Sequence, residues 1–385
     1  MRAATVGGLA AAAVLAAGCG GGQTKTRTVQ STTTKVEVLQ QAGERGGGGF
    51  DPRSIYERVS PGVVTVIATG LAAPGSDNAA GLGSGFVISG DGEIATNAHV
   101  VTSGEGASIR KASSVFVRFA DGNQVAAAVK GFDPFADVAL LKVDTKGLTL
   151  RPLPLGSTKD LHVGAPVAAI GSPFDEEQSL SVGVISALDR SIQSLTGFDT
   201  IGAIQTDAAI NHGNSGGPLL DGRGRVLGIN AQIQTSTGDG SGVGFAVPAD
   251  TVSRSLAQLR RDGRARYAYL GVASVAVYPQ LASHFDLPVQ SGAWIQEVTE
   301  GGPAQRAHLK SGGNTERFQE RAFRTGGDVV TAVQGRPIHA ESDLAKALLD
   351  YGPGDTITLD VRRGGERRQV RVKLAERPLD APRRG

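Results

Sequence analysis

The chain has 385 residues, room for two or three domains at about 150 residues each, which excludes a single small module. Hydrophobic residues at 40%, charged residues at 20% and aromatics at 5%, with 55 glycines, favour turn-rich β structure; the one cysteine excludes an internal disulfide or a cysteine-ligated metal cluster. A formal charge of +2, from 39 basic and 37 acidic residues, does not point to a nucleic-acid partner, although Val361 to Gly385 carries nine Lys/Arg against three Asp/Glu and reads as a solvated strand face and tail.

In chain order, Arg2 precedes sixteen uncharged residues, Ala3 to Gly18, the length of a signal-peptide core and short of a comfortable membrane span. Residues 1–18 are therefore expected to be a signal peptide. Leu15-Ala16-Ala17-Gly18-Cys19 resembles the lipobox of bacterial lipoproteins, which implies lipidation of Cys19, although Ala16 stands where leucine is usual; a plain cleaved signal or an uncleaved anchor are the alternatives, and all three imply an extracytoplasmic protein. Residues 19–50 are rich in Gly, Thr and Gln and are expected to be a flexible tether.

From Asp51 to about Val247, short β-branched runs alternate with turns. Val63 to Ile67, Gly85 to Ile88, Val115 to Phe119, Val125 to Val129 and Val138 to Val143 read as strands, and Asp91-Gly92, Asp121-Gly122 and Asp221-Gly222 as turns. Helical periodicity is nearly absent, which predicts a mostly β, closed or sandwiched antiparallel domain. Thr69 to Leu82, Arg190 to Thr200 and Gln232 to Gly242 read as loops. The first helix is expected after Pro248, capped by Asp250, with Val252, Leu256 and Leu259 on one side and Gly263 at its end.

Three polar positions in this domain can build one site. Gly213-Asn214-Ser215-Gly216-Gly217-Pro218 sets a serine among glycines, which permit a sharp backbone that presents a hydroxyl and gathers N–H groups. His99, at the end of the predicted strand Ile94 to His99, is the candidate base. Asp137, beside the apolar run Val138 to Leu141, would be costly there without a partner, and an imidazole N–H supplies one. Taken singly, each reads as a turn, a structural histidine or a surface charge. The order His, Asp, Ser is that of chymotrypsin-type β-barrels.

These segments, with Gly83 to Ile88, Thr96 to Val101, Ala136 to Leu141 and Thr206 to Leu219, resemble the HtrA (Deg) family of serine endopeptidases over roughly Ile55 to Leu374. The resemblance implies a chymotrypsin-like double β-barrel followed by a smaller α+β PDZ domain. By motif it implies Ser215 as nucleophile, His99 as base and then acid, Asp137 as its orienting group, and an oxyanion hole from Gly213, Ser215 and Asn214. It implies no metal or cofactor. His212 departs from the family's proline before this stretch, which implies a more mobile oxyanion loop. Ile210 and Gly228 to Ala231 lie where the family lines its primary pocket; they carry no charge, which points to small or medium apolar side chains before the cut.

Further on, Tyr269-Leu270-Gly271-Val272 resembles the carboxylate-binding loop of a PDZ domain, which binds peptide C-termini. A strand over Ala293 to Val298, a helix from Ser342 through Leu349 and strands over Thr356 to Val361 and Gln369 to Leu374 fit that domain, while the polar insertion Ser311 to Thr325 is extra and could cover or extend the groove. The expected divisions are a protease domain 51–253, a linker 254–266, a PDZ domain 267–376 and a basic tail 377–385. Family likeness also implies a homotrimer through the stretch that carries Phe50, Ile55, Tyr56, Val59 and Pro61, residues that read equally as core. The expected function is ATP-independent cleavage of unfolded envelope proteins; the rival reading is a non-proteolytic chaperone or peptide-binding scaffold.

Overall fold

A computed structural model describes residues 49–73, 76–172, 178–211, 213–231 and 243–381. The signal segment, nearly all of the tether, Cys19, His212 and the expected loop Gln232 to Gly242 lie outside the described residues.

The chain is mostly β. Two closed six-stranded antiparallel barrels come first. In spatial order the first runs Val63–Ala73, Ser76–Val87, Glu93–Thr96, Val138–Val143, Gln124–Asp133 and Ser114–Arg118. The second runs Ser179–Gln193, Asp199–Thr206, Gly244–Pro248, Val226–Ala231, Pro218–Leu220 and Pro166–Gly171. Closure removes the exposed edges that open sheets carry. Apolar residues fill each interior, Val66, Val117 and Leu141 in the first and Val167, Ile204 and Leu219 in the second. A third cluster, including Val63, Phe86, Leu140, Ile170, Ile229 and Val247, welds barrel to barrel.

Two helices seal that seam, and one of them is absent from the sequence-based expectation. Helix α1 spans Pro52–Val59, with the Asp51 carboxylate accepting the Arg53 and Ser54 N–H groups and Pro52 in the first turn. Its Ile55 and Val59 are buried in the seam, so these two residues of the expected trimer contact are core, while Phe50 and Tyr56 are only partly buried. The helix after Pro248, Ala249–Asp262, buries Val252, Leu256 and Leu259 as expected, and Gly263 ends it at φ 68°. Asp250 does not cap it. Its carboxylate accepts instead from the N–H and hydroxyl of Thr158, 3.0 and 2.5 Å away.

Much of the sequence expected as loop is strand. Thr69 to Leu82 continues two strands apart from residues 74–75, and Arg190 to Thr200 is a hairpin tip flanked by the strands Ser179–Gln193 and Asp199–Thr206. Closed barrels need long strands, and their pairing partners lie too far along the chain for local composition to reveal them.

A five-stranded antiparallel path follows, ordered Val272–Val277, Gly292–Val298, Val329–Val333, Thr356–Arg363 and Glu366–Lys373. Alternation along Ala293, Trp294 and Ile295 divides its faces: Ala293 and Ile295 pack with Leu344 and Leu348 of the helix Glu341–Leu348, while Trp294 faces a second cluster with Leu281 and Phe323. Ser342, expected as the cap, lies inside the helix, whose N-cap is Ala340, and the Asp343 carboxylate reaches back to accept the His339 and Ala340 N–H groups. The insertion folds as a hairpin, Thr315–Phe318 with Arg321–Arg324, and packs through Phe318 and Phe323 on the face opposite the helix. It therefore does not cover the space between that helix and the edge strand Val272–Val277.

Candidate active site

His99 is not at a strand end. The strand stops at Thr96, and His99 sits in a one-turn helix, Ala98–Val101. Asp137 ends the hairpin turn between Gln124–Asp133 and Val138–Val143 with φ 55°, a left-handed conformation that Asp tolerates better than most residues. From there it grips the histidine twice. Its Oδ1 accepts the His99 backbone N–H at 2.9 Å, and its Oδ2 lies 2.7 Å from Nδ1. Asn97 adds a third tie, its Nδ2 donating to the Asp137 carbonyl at 2.8 Å. With Nδ1–H directed at a carboxylate, Nε2 is the ring nitrogen left to exchange protons elsewhere.

Ser215 lies on the tight turn before Pro218–Leu220, where Gly213 and Gly216 have φ of 102° and 88°. The first barrel pins this turn from across the seam. Ser84 donates its hydroxyl to the Gly213 carbonyl at 2.6 Å and its N–H to the Ser215 carbonyl at 2.7 Å, and Ser84 Oγ accepts the Ser172 N–H at 2.9 Å. Thr96, three residues before His99, donates to the Ser84 carbonyl at 2.6 Å. One glycine gauges how near the two halves come: a methyl on Gly83 would lie 2.7 Å from a Val100 methyl and 3.2 Å from the Ser215 carbonyl oxygen. Histidine, aspartate and serine segments are thereby assembled on one seam.

The expected oxyanion donors do not stand alike. The Asn214 N–H is already donated to the Asn211 carbonyl at 3.0 Å, and those of Gly216 and Gly217 go to Asn230 and Asn214. In this arrangement the Asn214 N–H is therefore engaged within its own turn. Ser84 and Asn97 were not singled out from sequence; a serine between two glycines inside a strand was the available signal, since such glycines mark close backbone approach.

Burial lowers the imidazole pKa, but the Asp137 charge and hydrogen bond outweigh it and the net shift of His99 is upward from 6.5. A group held above its unfolded value contributes stability that is complete below about pH 6.5 and fades as pH rises through the folded value. The His99 imidazole resonance is expected to titrate above 6.5 in NMR spectra, and a midpoint at or below 6.5 would show that Asp137 does not hold the ring.

Beyond the barrels, at the five-stranded sheet, Gly271 has φ 78°, Leu270 is buried, and the Leu270 and Gly271 carbonyls accept from Ala304 and Thr299. Tyr269 pairs with Ala375, and Val272 opens the edge strand that faces the helix Glu341–Leu348. A free strand edge beside a helix is a geometry that accepts an extended peptide.

Comparison with known proteins agrees with this layout. Residues 83–229 match the family described as trypsin-like peptidase domain and residues 268–374 the PDZ domain. A probable periplasmic serine endoprotease, DegP-like, of Ectopseudomonas mendocina is 39% identical over 77% of this chain and 57% of its own length. The chloroplastic protease Do-like 1 of Arabidopsis thaliana is 42% identical over 77% and 64%. The chain thus spans less than two thirds of these relatives. Among solved structures, the HtrA-type protease AlgW with tripeptide superposes with a TM-score of 0.69 at 29% identity, covering 85% of this chain and 98% of that one. A serine endoprotease from Yersinia pestis gives 0.60 at 28%, with 85% and 98% covered.

Proposed function

From the premise that this chain belongs to the HtrA/DegP family, a trypsin-like peptidase domain joined to one PDZ domain, we propose that it is an extracytoplasmic, ATP-independent serine endopeptidase acting on unfolded proteins. The observation that carries the reading is the double grip of Asp137 on His99 beside a serine turn pinned by Ser84. In this reading Ser215 Oγ attacks the scissile carbonyl while His99 Nε2 takes its proton. The Gly213 and Ser215 N–H groups stabilise the oxyanion, and Nε2 returns the proton to the leaving amine. Water then repeats the sequence on the acyl-enzyme. The Asp137 carboxylate orients the ring and stabilises the imidazolium.

Ile210, against which Gly244 packs so closely that a methyl there would come within 2.5 Å, and the uncharged strand Gly228 to Ala231 favour small or medium apolar side chains before the cut. The edge strand Val272–Val277 would take peptide C-termini, with Tyr269 to Val272 at the carboxylate. A lipid on Cys19 would tether the enzyme to a membrane, and a homotrimer would draw on the half-buried Phe50 and Tyr56.

The test is a fluorophosphonate probe applied while unfolded casein is being digested. A single label on the peptide that contains Ser215, with loss of casein cleavage in proportion to labelling, is expected. Casein bound but neither cut nor labelled would leave the scaffold reading in its place.

A further inference from the structure

We infer that Arg377 is a positioning residue for the Asp137 carboxylate, acting through an aromatic cage that the end of the chain closes over the Asp133 to Asp137 turn; this rests on the peptidase reading above. After the short strand Ala375–Glu376 the backbone stays on the protein. Arg377 N–H donates to the Tyr267 carbonyl at 2.9 Å, and the Ala381 N–H donates to the Thr196 carbonyl at 3.0 Å, in the tip of the second-barrel hairpin. Asp380 accepts the Ala107 N–H at 3.0 Å, in the excursion that follows the His99 helix. These five residues therefore bridge the last domain to the hairpin tip of the second barrel and to the excursion after the His99 helix.

At the centre of this strap the guanidinium carbon of Arg377 lies 5.6 Å from the ring centre of Phe135, 5.4 Å from Phe198 and 5.3 Å from Tyr267. The rings also touch one another, Phe135 with Tyr267 at 5.2 Å and with Phe198 at 6.2 Å. One cation shared among three faces, and half-buried, is strongly attracted to them. Phe135 links the cage to the site because it stands two residues before Asp137 in the same hairpin turn.

The rest of that turn is already fixed. Asp133 Oδ1 accepts the Phe135 and Ala136 N–H groups, its Oδ2 accepts the Ser255 and Tyr267 hydroxyls at 2.5 and 2.6 Å, and Thr200 donates to the Phe135 carbonyl at 2.5 Å. All four donors to Asp133 are neutral. Its carboxyl is pushed up by burial against those hydrogen bonds, while burial pushes the Arg377 guanidinium down and the facing Tyr267, Asp133 and Tyr269 act against that. Backbone hydrogen bonds, Asn97 and the His99 N–H locate Asp137, and the Phe135 ring, held in its cage two residues earlier, biases the tilt with which the carboxylate meets His99. A tilt of that kind changes a 2.7 Å hydrogen bond before it changes the fold.

The experiment compares Arg377→Met, which keeps the stem, and Arg377→Lys, which keeps the charge, with the natural chain. Three quantities are read: the His99 titration by NMR, kcat and KM on an unfolded substrate, and Tm. Arg377→Met is expected to move the His99 midpoint down and to lower kcat about tenfold with KM within twofold, and Arg377→Lys to restore most of both. Phe198→Leu, which removes one wall of the cage from the other barrel, is expected to act in the same direction and serves if Arg377→Met does not fold. An unmoved His99 midpoint in a folded Arg377→Met and in Phe198→Leu overturns the proposal. The NMR readout needs no turnover, so a natural chain that cuts nothing refutes the peptidase reading without deciding this one.

Discussion

The Asp137→Asn protein is expected to fold normally and to lose about four orders of magnitude in kcat, near 5.5 kcal/mol of barrier. Asparagine keeps an oxygen for the His99 backbone N–H, the contact now at 2.9 Å, and it tolerates the φ of 55° at this position. Its amide nitrogen, however, then faces Nδ1. That ring nitrogen must become the acceptor, the proton moves to Nε2, and the ring meets the serine with a donor where it needs a lone pair. Removal of the charge also takes away the effect that raises the His99 pKa, so its titration moves down. Steady-state kinetics, Tm and the NMR midpoint check the three parts. Ser215→Ala alone is expected to cost about a million-fold, and the double variant no more than that, because the groups act as one unit. A loss under tenfold in folded Asp137→Asn would mean that the carboxylate does not orient the base.

How far these parts were legible from the sequence follows from how local each is. The glycine-flanked serine, the histidine and the aspartate each announce themselves within six or so residues, and their order along the chain points to two barrels. Ser84 and Asn97 do not, because their roles lie in bonds to Gly213, Ser215 and Asp137, residues 40 to 131 positions away. Helix α1 was visible in principle through Asp51-Pro52, a cap followed by a first-turn proline, but with eight residues it shows too little periodicity to stand out against a β-rich segment. The Ser311 to Thr325 insertion looked polar, and yet Phe318 and Phe323 anchor it to Phe285 and Trp294; two aromatics in a charged hairpin say that something is packed, without saying on which face. Arg377 was one arginine among many in a basic stretch. What distinguishes it is the meeting of Phe135, Phe198 and Tyr267, which only the assembled barrels produce.

The same reasoning from close approach makes Gly216→Ala the most damaging single methyl near the site. Gly216 has φ 88°, and a Cβ there would sit 2.0 Å from the Ser84 carbonyl oxygen and 2.4 Å from Thr96 Oγ1. Those two atoms are hydrogen-bonded to each other at 2.6 Å, and both residues are fully buried, so neither can step aside into solvent. Left-handed strain of about 1–2 kcal/mol adds to overpacking of about 1–3 kcal/mol. For a barrel domain of about 200 residues unfolding on its own the sum lowers Tm by roughly 5–15 °C. The turn is expected to relieve the clash by retreating from the first barrel, which breaks the Ser84 bonds to the Gly213 and Ser215 carbonyls and displaces the N–H groups of both residues, the proposed oxyanion donors. Loss of such a donor costs about a hundredfold or more in kcat. Gly122→Ala separates strain from collision: its φ is 84°, but nothing lies within 4 Å of the added carbon, so only the smaller stability loss is expected and turnover should be unchanged. If Gly216→Ala loses no more activity than Gly122→Ala, the nucleophile turn is not held by the first barrel in the way the Ser84 contacts imply.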